Sequence, residues 1–532
     1  MRGPYAVTKL SRSLVLGCSV LALAACGPEE IASPGTGGNI TINNPPAPAP
    51  APAPTPTPTG PALVTPATGC PTISDPQGLT DEGTITGPTG EYRVCTLPAR
   101  INASSTLPYV AGLLYRMGGR VDVGTDGGPA ADASDGLSDT NVTLTIAPGA
   151  IIFASGEAFM NVNRGNRINA TGTADRPIIF TSRDNVLGLN TDSSSGQWGG
   201  LILSGRAQVT DCATPTAPEG TVQCERQVDG TATPALFGGA TNTDNSGTVA
   251  YVQIRYSGFT LTGGSELQSL TTGGTGSGTT LNHIQSVNSS DDGVEFFGGH
   301  VNIKHLIVDG SEDDALDTDT GAKVNLQYVI AAHNTNAHDT IIEADSSGNN
   351  NAVPRQNTRI SNFVFIQGAA AADGGAAIRL RGGTDYALLN GVLVSPQDEC
   401  VRIEHAETIQ TTGTDEAGPP IFHSMVMQCA ATKFIGSSGV TAAQAEGFFT
   451  AGTNNNSAFT ATLTNLFVNG ANETAVPAFD ASTLSSFFDA TTYIGAVRDA
   501  SDTWYQGWTC NSATLNFGTD NTGLCTSLPV YS

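Results

Sequence analysis

The stretch from Thr279 to Val329 repeats itself at a fixed interval. His283-Ile284 precedes Asp291-Asp292 and Glu295, and His305-Leu306 precedes Asp313-Asp314 and Asp317. Each member of the second set follows its counterpart by 22 residues. The residues between are short β-type runs broken by Gly, Asn and Ser, with no helical period. A repeat of this size with no helix inside it marks a solenoid, in which one turn cannot bury its apolar face until the next stacks on it.

The same rhythm spreads outward from this stretch. NHIQSV, KHLIVD, QYVIAA, NFVFIQ, NGVLVS, SMVMQC and NLFVNG read as successive rung strands. A second strand follows most of them, at Val294-Phe296, Leu316-Thr318, Ile341-Glu343, Ile378-Leu380, Val401-Ile403 and Phe434-Ile435. Two stretches read as interruptions: 211–246, which carries Cys212 and Cys224, and the Gly/Thr-rich 261–278.

The flanks divide the chain. Residues 1–25 have a basic start (Arg2, Lys9, Arg12) and an apolar run too short to span a bilayer, the pattern of an export signal. Leu23-Ala24-Ala25-Cys26-Gly27 resembles a bacterial lipobox. That resemblance implies a lipid on Cys26, with Gly27 in the next position favouring the outer membrane. Residues 26–68 contain PPAPAPAPAPTPTPTGPA, a composition that favours extended polyproline II and gives a semi-rigid tether. Residues 69–139 read as an irregular cap over the first rung, 140–477 as the solenoid, and 478–532 as an aromatic-rich C-terminal cap.

The formal net charge of −25, from 48 acidic against 23 basic residues, excludes nucleic acid and anionic lipid surfaces as partners. Ten Cys occur. Setting aside Cys18 in the signal and Cys26 leaves eight, whose chain neighbours pair as Cys70/Cys95, Cys212/Cys224, Cys400/Cys429 and Cys510/Cys525. Eight Cys admit 105 pairings, so chain proximity alone selects this one. Disulfides suit an exported protein.

INATGTADRPIIFTS, QWGGLILSGRA, DDGVEFFGG and YIGAVRDASDTWYQGWT resemble a family of bacterial right-handed parallel β-helix proteins, many of them surface lipoproteins. The resemblance implies an all-β, pectin-lyase-like solenoid with N- and C-terminal caps. It implies no reaction.

An interval of one turn stacks Asp291 on Asp313, Asp292 on Asp314 and Glu295 on Asp317. At roughly 5 Å and an effective dielectric near 20, each pair repels by about 3 kcal/mol. Three resolutions are open: a hard cation such as Ca²⁺ held by all six, carboxyls kept protonated and usable as acids, or side chains splayed into water. His283 and His305 stack likewise, with Tyr328 next, either as a structural ladder or with nearby Asp as a transition-metal site.

Arg379, Arg381 and Arg402 line up on the second strand beyond the acids. Arg379 and Arg402 are candidate ligand-binding residues. So are Trp504 and Trp508, if the C-terminal part forms an exposed aromatic platform rather than a cap folded over the last rung. Asp291-Asp292, His300 and Asn302–Lys304 superficially resemble the acid, His and basic pieces of polygalacturonases, but crowd into 14 residues. The expectation is a lipid-anchored outer-membrane protein that binds a glycan, a cation or an outer-membrane transporter without catalysis. A polysaccharide lyase or glycoside hydrolase acting on acidic glycans is the alternative.

Overall fold

The computed structural model describes residues 63–531, apart from 133, 262–264, 334–337, 347 and 372–374. The expected export signal, Cys26 and the proline-rich stretch to residue 62 lie outside the described residues.

Two long parallel sheets run the length of a right-handed β-helix. The larger has fifteen strands and includes Gly247–Arg255, Thr280–Val287, His300–Asp309, Lys323–His333, Asn357–Gln367, Asp385–Ser395 and Ile421–Cys429, in that order. The smaller has eleven and takes the next strand of each turn, at Val294–Phe297, Leu316–Asp319, Ile342–Ala344, Ile378–Leu380, Val401–Glu404 and Phe434–Ser437. Apart from NLFVNG, both sets match the expected rungs. Successive side chains of a strand point to opposite faces. In the smaller sheet this sends Val294, Phe296, Leu316 and Ile342 into the core and turns Glu295 and Asp317 outward.

The long strands of the larger sheet bend once. The bend residue lies in the left-handed region in seven consecutive rungs: Tyr251, His283, His305, Tyr328, Asn362, Asn390 and Ser424, with φ between 51° and 61°. The pairing register steps over each of them. Such a conformation costs a non-glycine residue about 1–2 kcal/mol, and the ladder on either side of the bend holds it. In an earlier turn the corner is a loop instead. There, Arg167–Thr171 and Ile178–Ser182 pair with the two halves of Gly247–Arg255. The sheet therefore forms two walls and the smaller sheet the third.

Three expectations need correction. First, 69–139 is not an irregular cap. Gly90–Thr96 pairs in parallel with Leu113–Arg116, which pairs with Ile151–Ala154, and Arg100–Ile101 and Val121–Val123 begin the smaller sheet. Rung structure reaches back to Val64, which bridges Gly90, and the N-terminal end is covered by the antiparallel strand Thr80–Gly87. These strands are two to eight residues long, too short to carry a readable period. Second, the interruption 261–278 contains a rung strand, Leu270–Gly273, while NLFVNG is not a rung: Phe467 and Val468 pack on the outside of the larger sheet.

Third, 478–532 does not fold over the last rung. That end is covered by the helix Ala442–Ala451, whose Phe449 packs on Phe422 and Phe434. The C-terminal segment instead runs back along the outside of the larger sheet. Its backbone is clamped by outward amides. Asn390 takes both the N–H and the carbonyl of Phe479 (2.7 and 2.9 Å), Gln327 those of Asp489 (2.9 and 3.0 Å), and Gln285 those of Cys510 (2.9 and 3.0 Å). Further on, the buried Arg255 guanidinium donates to the carbonyls of Cys525 and Ser527. Descending strand numbers against ascending strap numbers give the direction. The four disulfides are Cys70–Cys95, Cys212–Cys224, Cys400–Cys429 and Cys510–Cys525, as chain proximity suggests.

Trp508 is 0% exposed and packs with the apolar cluster beneath the strap, so Trp508→Ala is expected to cost about 3–5 kcal/mol in urea unfolding. Limited proteolysis should then release 478–532 before the helix is cut. A strap that merely rests on the wall would leave both the unfolding midpoint and the cleavage order unchanged.

Candidate functional site

The smaller sheet carries one charged column on its outer face. The register sets Thr271 beside Glu295, Glu295 beside Asp317, Asp317 beside Glu343, Glu343 beside Arg379 and Arg379 beside Arg402. A second acidic ladder lies in the turn just before this sheet. There, Asp292 Oδ1 accepts the backbone N–H of Asp314 at 2.9 Å, one turn on. Asp314 Oδ1 accepts from the backbone N–H and hydroxyl of Thr340, both at 2.7 Å. Asp292 and Asp314 thus each prop up the next turn, so these two carboxylates are held in place and do not splay.

All six acids expected to stack come together. Carboxylate oxygens of Asp291, Asp292 and Asp313 lie within 4.8 Å of one another, as do those of Asp292, Glu295 and Asp317. Asp313, Asp314 and Asp339 make a third such group, and Asp292 is shared by the first two. Asp292 and Glu295 are only 5% and 7% exposed. The Oδ1 of Asp317 is buried without a hydrogen-bond partner.

Burial and mutual repulsion act together on these groups. Burial, then Asp313 and Glu266, pushes Asp291 up to about 7. Burial and the surrounding carboxylates hold Asp292, Glu295, Asp314 and Asp317 well above the usual carboxylate range. A side-chain hydrogen bond with Asp317, then Arg226, pull Glu295 the other way, each more weakly than burial, Asp291 and Asp319 push it up.

The 211–246 excursion supplies a wall. Its short antiparallel pair, Arg226–Gln227 with Leu236–Phe237, follows the Cys212–Cys224 bond. Arg226 pairs with Asp211 and lies over the Phe297 ring, 5.6 Å from its centroid. Arg226, Val228, Asp229 and Gln268 enclose, with the acids, a cavity of about 360 Å³. Gln268 donates to Asp291 Oδ2 at 3.0 Å. Sequence reasoning missed Gln268 because it sits in the stretch read as an interruption, and missed Thr340 because nothing in its neighbours marks it as a partner of Asp314.

The other candidates stand elsewhere. Arg379 and Arg402 do line up beyond the acids, but their charges are engaged. Arg379 meets Glu343 at 3.1 Å and Glu404 at 3.4 Å, and Arg402 meets Glu404 at 3.9 Å. Arg381 joins Glu343 at 3.0 Å and Asp345 at 3.1 Å. These pairs end the uncompensated part of the column. Lys304 pairs with Asp489 of the strap at 2.7 Å, away from the acids, so the polygalacturonase-like pieces do not assemble. Trp504 and Trp508 form no platform: Trp508 is buried, and Trp504 packs against His305 with centroids 4.9 Å apart.

His283 and His305 stack as expected, at 4.2 Å between centroids, flanked by Tyr251 at 4.2 Å and Tyr328 at 4.9 Å. Burial lowers them to about 4 and about 3. His305 Nδ1 is engaged by Asn282 Oδ1 at 2.8 Å and a tyrosine ring closes each end of the stack, which makes this a structural ladder.

No curated protein and no solved structure matches the chain. A family model described as a pectate-lyase-like beta helix domain matches residues 135–509, a span that takes in most of both sheets, the acidic column and most of the strap. With its stacked parallel rungs and this match over most of its length, the chain belongs to the family of pectate-lyase-like beta helix domains.

Proposed function

We propose that this β-helix is a non-catalytic binding protein whose acidic wall holds a hard divalent cation, Ca²⁺ foremost. The observation that supports it is the Asp292, Glu295 and Asp317 group, oxygens within 4.8 Å and one of them buried without a partner. A hard ion taking several carboxylate oxygens offsets both the repulsion and the orphaned atom. The lipobox-like start and the tether support a wider reading, in which Cys26 carries the lipid and the helix stands off the outer membrane. Its partner there would be a surface glycan or an outer-membrane transporter.

The alternative, a lyase or hydrolase of acidic glycans, requires an arginine or carboxyl free to move a proton beside the substrate. Both Nη atoms of Arg379 face carboxylates, Glu343 and Glu404, which weighs against it. Incubation with a panel of acidic polysaccharides, read as unsaturated products or new reducing ends, is expected to show no turnover. Turnover would overturn the non-catalytic reading.

Calcium at a hundredfold excess over its Kd should add about 2.7 kcal/mol to stability, read as a raised melting temperature that a chelator reverses. Asp317→Asn should abolish that response. In the cation-free protein the same change should raise stability, because it removes a buried charge from a repelling group. A lower cation-free stability for Asp317→Asn would contradict the repulsion argument.

The pH dependence has a definite sign. Asp291 is raised from 3.8 unfolded to about 7 folded. Between these values the folded state binds the extra proton, so cation-free stability falls as pH rises from about 4 to about 7. Calcium must also displace the protons that burial and mutual repulsion hold on Asp292, Glu295 and Asp317, so its stabilisation should be small at pH 5 and grow as pH rises. Melting curves with and without calcium across this range test both limbs, and a calcium effect independent of pH would place the ion elsewhere.

A further inference from the structure

We propose that His333, His338 and Gln367 form a second, separate site, for a late first-row transition-metal ion such as Zn²⁺ or Cu²⁺. The site lies at the far ends of the larger sheet's strands, where the chain leaves Lys323–His333 and Asn357–Gln367. His333 and Gln367 are register neighbours on adjacent strands. The rings of His333 and His338 lie 4.7 Å apart between centroids, tilted by 33°. All three residues are 0–1% exposed.

Among the described residues, each side chain is anchored at one end and bare at the other. His338 Nδ1 meets the backbone carbonyl of Asp339 at 3.0 Å. A carbonyl only accepts, so Nδ1 carries the hydrogen and Nε2 presents a lone pair. That Nε2 is buried with no partner. His333 Nε2 meets the Ser311 hydroxyl at 2.7 Å, and its Nδ1 is buried with no partner. Gln367 Nε2 donates to Asp398 at 2.9 Å, and its Oε1 is buried with no partner.

Metal-bound histidines characteristically give their other ring N–H to an outer carbonyl, carboxylate or water, which fixes the ring and bares the ligating nitrogen. His338 shows this arrangement, and His333 shows it with a hydroxyl. Burial and the neighbouring His338 keep His333 unprotonated well below its ordinary value, as a ligand must be. Two imidazole nitrogens and an amide oxygen suit a zinc- or copper-like ion rather than Ca²⁺, which favours oxygen alone. Asp398, behind Gln367, supplies negative charge to offset the ion's. A trapped water is the competing occupant, and it fits only one of the two His333 tautomers. If Ser311 donates to Nε2, then Nδ1 carries a hydrogen and one water can serve all three atoms. If Nε2 donates to Ser311, three lone pairs face a water that has two hydrogens.

The full chain produced in medium containing Zn²⁺ and Cu²⁺, then washed with EDTA, is expected to retain one equivalent of metal by elemental analysis. X-ray absorption at that metal's edge should show two imidazole nitrogens in its first shell, a readout that needs no variant. His338→Gln should lose the metal, Ser311→Ala should weaken retention about 10–100-fold, and Asp317→Asn, in the acidic wall, should retain it. No retained metal in the folded wild type, a first shell without imidazole, or retention unaffected by His338→Gln would each overturn the site. So would a water, with no anomalous scattering, between the two rings in a crystal.

Discussion

Strict vertical stacking governs this molecule. In a parallel ladder the strands lie about 4.8 Å apart, so whatever side chain one turn presents, the next turn presents directly above it. For apolar residues this is favourable, and Val294, Leu316, Ile342 and Ile378 form a continuous column inside the helix. For bend residues it is tolerable, because a left-handed tyrosine or histidine gains a ring to stack on. For carboxylates it is unfavourable, because Glu295 cannot move away from Asp317 without breaking the register that buries Phe296 and Leu316. The charged column is therefore a strained feature retained within a wall that would be simpler without it.

The strain is bounded. Above Glu295 stands Thr271, and below Asp317 stands Glu343, which Arg379 and Arg381 neutralise. Among the described residues the stacked acids occupy two turns of the sheet and the adjoining acidic turn, where the carboxylates of Asp292 and Asp314 brace the backbone of the following turn. A general acidic surface, of the kind a net charge of −25 produces, would spread its charges to the periphery. Here the acids converge, with Asp292, Glu295 and Asp314 buried, and face a disulfide-stapled excursion that carries Arg226. Convergence and burial, rather than acidity, distinguish a cation site from a solubilising face.

How much of this was legible depends on whether the signal was local. The interval between His283 and His305 sufficed for the solenoid, for the three acid pairs and for the histidine stack, because a repeat carries its own register. Chain proximity sufficed for the disulfides. What a repeat cannot carry is a partner from outside it. Arg226 and Gln268 reach the acids from an excursion and from just before a strand hidden among Gly and Thr. The engagement of Arg379 with Glu404 depends on a side chain one turn further along. The first rungs escaped notice because strands such as Arg100–Ile101 are too short to show alternation.

The strap had a signal of a different kind. A half-buried strand alternates apolar and polar residues, whereas a strand covered on both faces reads as a continuous apolar run. After the bend, HLIVD, YVIAA, NFVFIQ and NGVLVS are such runs. In these strands Leu306, Val329, Phe363 and Phe365 face the core, while Ile307, Ile330, Val364 and Val392 belong to a separate outer cluster. Those outer residues would form an exposed apolar stripe along one wall, which a folded chain rarely leaves bare. Something had to lie over them, and the aromatic-rich C-terminal segment was the unassigned apolar material in the chain. The stripe also explains why Gln285, Gln327 and Asn390 interrupt the runs. A covering segment without regular structure of its own needs its backbone N–H and carbonyl groups satisfied, and an outward amide supplies one donor and one acceptor at each clamp.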